Sequence, residues 1–347
     1  MKPTLVIDNA IPFLDGRLDS HFNCRILPPA EITSEAVKDA RGLLVRTRTR
    51  CDAALLDNSA VEFVATGTIG LDHFDIPYLD SRNIDWQNAP GCNAPAVAQY
   101  VWRALLELGF DPSAQTLGVV GKGNVGSIVA DWGRRLGAKV IVCDPPRAEQ
   151  GLTDEEYLPL EQLMAEADAV TFHTPLIRKP GRTPATKYPT WHLADSRTLG
   201  KLHTGAIVVN AARGGVVDEK ALAEAKKEKN LRVAIDTWEG EPRINTDFLA
   251  MADIATFHIA GYSRQGKERA TYSILDGLER HFGVRLDKSG LTGPYVAGRL
   301  DIASIIRSYD IQADDAEFRR RPADFESLRD FYHLREETEA ANIDPID

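Results

Sequence analysis

The chain has 347 residues and 43% apolar content, enough to bury a large core divided over two or three domains. Its net charge of −10 excludes a general electrostatic pull toward nucleic acid or an anionic membrane, so an anionic ligand must be held by local positive groups. The four cysteines, Cys24, Cys51, Cys92 and Cys143, are scattered without metal-ligand spacing, which points to a reducing cytoplasm and to no metal site.

The N-terminal MKPTLVIDNAIPF carries an aspartate inside a short apolar run, which reads as a first β-strand and not a signal peptide. No apolar run approaches the roughly 18 residues of a membrane span. TLVID, ALLDNSAVEFVATG and IDWQNAP predict a small α/β layer over residues 1–90. Between the first two lies VRTRTR. If extended, it puts Arg46, Arg48 and Arg50 on one side and Thr47 and Thr49 on the other, a positive patch suited to an anionic group. A solvated charged strand end is the alternative.

From Asn93 onward, NAPAVAQYVWRALLELGF places Val97, Tyr100, Val101, Leu105 and Leu108 at helical spacing, predicting a connecting helix into the next domain. Over residues 116–256 six runs follow: LGVVG, KVIVCD, AVTFHT, AIVVNAA, VAIDT and IATFH. Apolar on both faces and joined by crossovers, they predict a parallel doubly wound sheet with ligands at the strands' carboxyl ends.

The first of these runs opens LGVVGKGNVG, and Asp144 closes the second. Gly121 permits a tight turn, Gly123 lets a diphosphate approach the backbone, and Gly126 lets helix and strand pack closely. Val125, Ile128, Val129 and Trp132 continue at helical spacing, so Gly121, Gly123, Asn124, Val125 and Gly126 form a dinucleotide-binding loop at a helix N-terminus. A Gly-rich structural turn is the alternative. A carboxylate at Asp144 accepts from ribose hydroxyls and repels a 2′-phosphate, which selects NAD over NADP, with Arg147 nearby to soften the preference.

Three side chains follow successive late strands: Arg213 in VVNAARGG, Glu241 in IDTWEGEP and His258 in IATFHIAG. Hydride leaves C2 of a 2-hydroxy acid only when the hydroxyl proton is removed and the carboxylate is held in line. Histidine suits the proton, a neighbouring Glu supports the imidazolium, and the planar arginine fork suits the carboxylate. Singly, each reads as a cap or loop residue. Together, behind a nucleotide fingerprint, they form a candidate trio. After them RQGKERATYSILDGLERHFG predicts a helix returning to the first α/β layer, and residues 285–347 turn charge-rich.

GKGNVG, HTPL, NAARGGVVDEKAL, DTWEGEP and HIAGYS make residues 1–283 resemble the D-isomer-specific 2-hydroxyacid dehydrogenases. The resemblance implies a Rossmann NAD domain at 93–258, a flavodoxin-like substrate domain at 1–92 and 259–284, and Arg213, Glu241 and His258 as the catalytic trio. It carries cofactor contacts to Asp144, Thr174, Ala211, Ala212, Arg213, Asp236 and Gly261, and substrate contacts to Thr47, Thr68 and Tyr262. Arg46 from the positive patch joins the substrate set, and Arg335 is a further candidate phosphate ligand.

The tail, SYDIQADDAEF then RPADFESLRDFYHLREE, resembles a small C-terminal α+β dimerisation domain carried by one branch of the family, here residues 285–347. That likeness implies a homodimer acting on a small phosphorylated hydroxy acid, while the charge, the apolar runs and the cysteine pattern predict a cytoplasmic protein with no nucleic-acid or membrane partner. Gln99 and Phe257 depart from the family pattern, standing where many relatives carry Glu and a smaller residue. Two other readings stay open: a dehydrogenase of 3-phosphoglycerate, glycerate or a simple 2-keto acid, and a nucleotide-sensing binding protein on the same fold.

Overall fold

The computed structural model describes residues 2–152, 156–181 and 184–338. Two compact units emerge. One joins the chain up to Asn93 with Ser263–Tyr295, and the other joins Ala94–Tyr262 with the chain from Val296 onward.

The first unit holds β1 (Thr4–Asp8), β2 (Asn23–Leu27), β3 (Gly42–Val45), β4 (Phe63–Thr66) and β5 (Asp85–Gln87). They form an all-parallel sheet in the order β2-β1-β3-β4-β5, the flavodoxin-like order. The two-residue alternation of strands sorts the side chains. Leu5, Ile7, Leu44 and Phe63 pack on one face with Ile274, Leu275 and Leu278 of the helix Arg264–Phe282. Val6, Leu43, Val45 and Val64 pack on the other with Val37, Leu56 and Leu79. The edge strand β2 is half exposed, so no apolar run announces it.

The arginine patch is arranged differently from the extended reading. Pairing of β3 with β4 ends at Val45 opposite Thr66, and beyond that pair no ladder holds the chain straight. It closes a turn instead, with the Thr49 N–H donating to Arg46 C=O (3.3 Å). Thr49 is buried, Arg50 pairs with Asp52 (2.8 Å), and the expected two-sided separation of Arg and Thr does not form.

The second unit realises all six predicted runs as β6 (Thr116–Val120), β7 (Lys139–Cys143), β8 (Ala169–Phe172), β9 (Ile207–Asn210), β10 (Arg232–Ile235) and β11 (Ile254–Ala255). The sheet is parallel in the order β11-β10-β9-β8-β6-β7, and Tyr157 adds a single parallel bridge beside β7. Crossovers reverse direction at β6, so the crevice outside the carboxyl ends of β6 and β8 is where such a sheet binds ligands.

The connecting helix Ala94–Glu107 lies in this unit with Tyr100 and Trp102 fully buried. The Trp102 indole donates to the Val129 carbonyl (3.1 Å) of the helix Asn124–Arg135. The C-terminal segment groups here too. Its helices Ile302–Ser308, Ile311–Arg320 and Phe325–Asp330 bury Ile305, Ile311, Phe318 and Phe325. Residues 339–347, the end of the segment expected to dimerise, lie outside the described residues. Among the described residues no helix is long and apolar enough to cross a membrane, and no group of three His, Cys, Asp or Glu is placed to hold a metal.

Candidate active site

At the end of β6 the chain turns through Gly121, whose φ of +91° is one that L side chains rarely adopt. A Cβ there would meet the His173 carbonyl and Thr174 Cγ2 at 2.9 Å, so the turn is pressed against the end of β8. Gly126 is equally constrained, since a Cβ would overlap the Gly121 carbonyl. At Gly123 the corresponding direction is open, and no side chain caps the helix that Asn124 begins. Uncapped N–H groups at a helix start suit an anionic diphosphate.

Asp144 follows β7, where Oδ2 accepts from the Lys122 N–H (2.7 Å) and Oδ1 from the Arg147 N–H (3.1 Å). The second bond caps the short helix Pro145–Glu149. Thr174, after β8, has a buried hydroxyl oxygen with no partner among the described residues. The open approach at Gly123, the acidic group after β7 and this unpartnered hydroxyl together fit a dinucleotide. Replacing Asp144 by alanine is expected to lower the NAD-over-NADP ratio of kcat/KM by roughly 10–100-fold, since a charge-assisted ribose bond is lost and a 2′-phosphate is no longer repelled. Steady-state kinetics with both cofactors reads this directly, and an unchanged ratio places ribose recognition elsewhere.

The turn after β9 runs Ala211, Ala212, Arg213, with both alanines almost buried. Asn210 braces it: its Oδ1 accepts from the Ala212 N–H (3.2 Å), and its Nδ2 donates to the Arg213 carbonyl (3.1 Å). Arg213 is exposed, with Nη1 donating to the Ala212 carbonyl (2.8 Å). The following Gly214 packs so tightly that a Cβ would overlap the Trp238 carbonyl, which seats this turn on the segment leading to Glu241.

Glu241 is shared between two donors. Oε1 accepts from the Trp238 N–H (2.7 Å), and Oε2 lies 2.7 Å from His258 Nδ1. Their side chains keep 21% and 30% exposure, so the pair is sheltered yet reachable. The bond engages Nδ1 and leaves Nε2 as the nitrogen able to exchange a proton. His258 has φ of +59°, a left-handed conformation uncommon for residues other than glycine. Its N–H donates to the Asp236 carbonyl (2.8 Å). The Asp236 side chain, 1% exposed, accepts from the Thr256 hydroxyl (2.7 Å) and from the Ile259 (2.8 Å) and Ala260 (3.0 Å) N–H groups. Asp236 thus holds the loop in which His258 sits, a role its place after a strand does not disclose.

The other sequence-derived candidates fall at strand ends as well. Arg46 and Thr47 follow β3, and Thr68 follows the adjacent β4. Arg46 Nη1 donates to the Ala10 carbonyl (3.3 Å), Thr47 is exposed, and the Thr68 hydroxyl lies 2.8 Å from that of Thr66. Gly261 and Tyr262 continue the His258 loop, with the Tyr262 ring against Tyr332 (6.0 Å between centroids). Phe257 points away from the loop into the C-terminal helices, against Phe318 (5.7 Å) and Tyr332 (5.8 Å). Arg335 is buried, and its terminal nitrogens donate to backbone carbonyls.

One neighbour of Glu241 had no local signal. Glu219, the first residue of the helix Glu219–Lys229, accepts from the Glu239 N–H (2.7 Å). Burial, with the nearby Glu239, Glu241 and Asp218 carboxylates, pushes it up to about 7, against the pull of that N–H. An unfolded glutamate titrates near pH ~4.3, so the folded form holds its proton more tightly. The resulting stability is complete below that value and is lost as pH rises through about 7. Glu219→Gln is therefore expected to flatten the dependence and to be more stable than the parent by on the order of 1–3 kcal/mol in mildly alkaline buffer. Urea midpoints at mildly acidic and mildly alkaline pH measure it, and parallel dependences for the two proteins would rule it out.

Comparison with known proteins gives consistent results. Residues 93–260 match the family described as D-isomer specific 2-hydroxyacid dehydrogenase, NAD binding domain. The erythronate-4-phosphate dehydrogenase of Bacteroides fragilis is 40% identical over 98% of each chain. That of Serratia proteamaculans is 38% identical over 98% of this chain and 94% of the relative. Among solved structures, the TT0316 protein from Thermus thermophilus superposes with a TM-score of 0.66 at 26% identity, over 81% of this chain and 97% of its own.

Proposed function

The chain belongs to the D-isomer-specific 2-hydroxyacid dehydrogenases and is an NAD-dependent dehydrogenase, and from that premise we propose that its substrate is 4-phospho-D-erythronate. The product is then 3-hydroxy-2-oxo-4-phosphooxybutanoate, a step in pyridoxal 5′-phosphate (vitamin B6) biosynthesis in the cytoplasm. The observation that carries this reading is the near-complete alignment, at 38–40% identity, with two bacterial enzymes named for that substrate.

Bound NAD supplies the acceptor for the C2 hydride. His258 Nε2 removes the C2 hydroxyl proton, and Glu241, 2.7 Å from Nδ1, balances the positive charge that the ring acquires. Arg213 grips the substrate carboxylate and polarises the forming carbonyl. Arg46 and Thr47 take the phosphate, while Thr68 and Tyr262 hold hydroxyl groups. The C-terminal region joins two copies into a homodimer.

Steady-state rates on 4-phosphoerythronate, 3-phosphoglycerate and glycerate, and in the reverse direction on simple 2-keto acids, test the assignment. We expect kcat/KM on 4-phosphoerythronate to exceed that on the unphosphorylated acids by at least about 100-fold, because they leave a phosphate-binding site unpaired, and to exceed that on 3-phosphoglycerate, which is one hydroxyl-bearing carbon shorter, by a smaller margin. A preference for an unphosphorylated acid refutes the phosphate contacts, and a protein that binds NADH without turnover is a sensor.

A further inference from the structure

The segment from Phe257 to Tyr262 is gripped by two buried charges of opposite sign. On one side the Asp236 carboxylate takes the N–H groups of Ile259 (2.8 Å) and Ala260 (3.0 Å). On the other, Arg335 takes the carbonyls of the same stretch. Its Nη1 donates to Ile259 (2.8 Å) and Tyr262 (3.2 Å), and its Nη2 donates to Ala260 and to Ala96 (3.0 Å) of the connecting helix. Arg335 is 8% exposed, and its guanidinium lies 4.6 Å from the Tyr309 ring centre.

The cation is embedded in a polar network of the C-terminal segment. Tyr309 and Tyr332 donate their hydroxyls to Asp314 (2.7 and 2.8 Å), and Gln99 of the connecting helix donates to Ser308 Oγ (2.7 Å) and the Glu336 carbonyl (3.2 Å). Phe257, the residue before His258, is packed into the same segment. Buried carbonyls and a planar fork match each other, since five N–H donors in fixed geometry reach several acceptors at once. A left-handed residue such as His258 persists only where its surroundings over-determine it.

We propose that Arg335 is a positioning residue for catalysis, a clamp through which the C-terminal segment fixes the loop and thereby the imidazole of His258. The inference rests on His258 being the acid–base residue of the reading above. It assigns to the C-terminal segment a part in turnover within its own chain, separate from any part in joining two copies.

The test compares Arg335→Ala and Arg335→Lys in the full chain, with His258→Ala as control. Both Arg335 variants are expected to lose about 10–100-fold in kcat, because displacement of a reacting group by about 1 Å costs that much. NADH affinity, read by fluorescence titration, is expected to stay near the parent's. Millimolar guanidinium chloride is expected to restore part of the Arg335→Ala turnover, and equal sodium chloride to restore none. Lysine fails the clamp because its compact ammonium cannot span the four carbonyls. If Arg335→Ala does not fold, the kcat of Arg335→Lys decides.

A folded variant with parental kcat overturns the proposal. So does a loss of kcat matched by an equal loss of NADH affinity without rescue, which marks a purely structural role. If His258→Ala itself keeps its turnover, the acid–base reading has failed, and the clamp has no imidazole to position.

Discussion

His258→Ala is expected to lower kcat by about 10²–10⁴-fold, the usual worth of a positioned acid–base group, while NAD binding is kept. Among the side chains after the late strands, His258 combines a carboxylate 2.7 Å from one ring nitrogen with a second nitrogen left to exchange a proton. Alanine tolerates the left-handed conformation at φ of +59° less well than histidine does, so part of any loss reflects a less stable loop. Asparagine separates the two effects, because it tolerates the left-handed conformation while lacking an acid–base group of suitable strength. His258→Asn is therefore expected to match alanine in kcat and to exceed it in thermal stability. Turnover near the parent's in the folded asparagine variant removes His258 from the mechanism.

Glu241→Gln is expected to cut the oxidation rate by a comparable 10²–10⁴-fold, for a reason the hydrogen bonds supply. Glu241 accepts twice, from the Trp238 N–H and from His258 Nδ1. Glutamine has one oxygen. If that oxygen keeps the Trp238 bond, the amide NH₂ faces Nδ1 and makes it an acceptor. The ring proton then moves to Nε2, the tautomer that cannot take the substrate's proton. If the oxygen instead serves His258, the Trp238 N–H loses its partner and the segment that carries residue 241 loosens. Either arrangement lowers kcat at constant NAD affinity. A kcat within a few-fold of the parent's in the glutamine variant shows that the charge and tautomer control assigned to Glu241 are unnecessary.

Much of the second unit was legible as text. Six apolar runs became six parallel strands, because a strand buried on both faces has to be apolar throughout and its crossovers have to be long. The glycine spacing told in advance which backbones approach closely, as the Cβ overlaps at Gly121 and Gly126 show. The first unit was harder. β2 is a half-exposed edge strand, and VRTRTR has the alternation of a strand yet turns once its neighbour ends at Thr66. Alternation is necessary for a half-buried strand, but only a pairing partner makes one.

By itself, then, the sequence determined the alternation of strand and helix, the glycine turn after β6, and which three side chains follow β9, β10 and β11. These features are local, set by side-chain periodicity and by where glycine is tolerated. Tertiary structure decided how those side chains are held. Asp236 reaches two residues of the His258 loop, Glu219 loses its ordinary acidity among three other carboxylates, and Arg335 returns across 76 residues to the Ile259 carbonyl. Such contacts depend on which groups packing brings together and strips of water. No spacing along the chain records that.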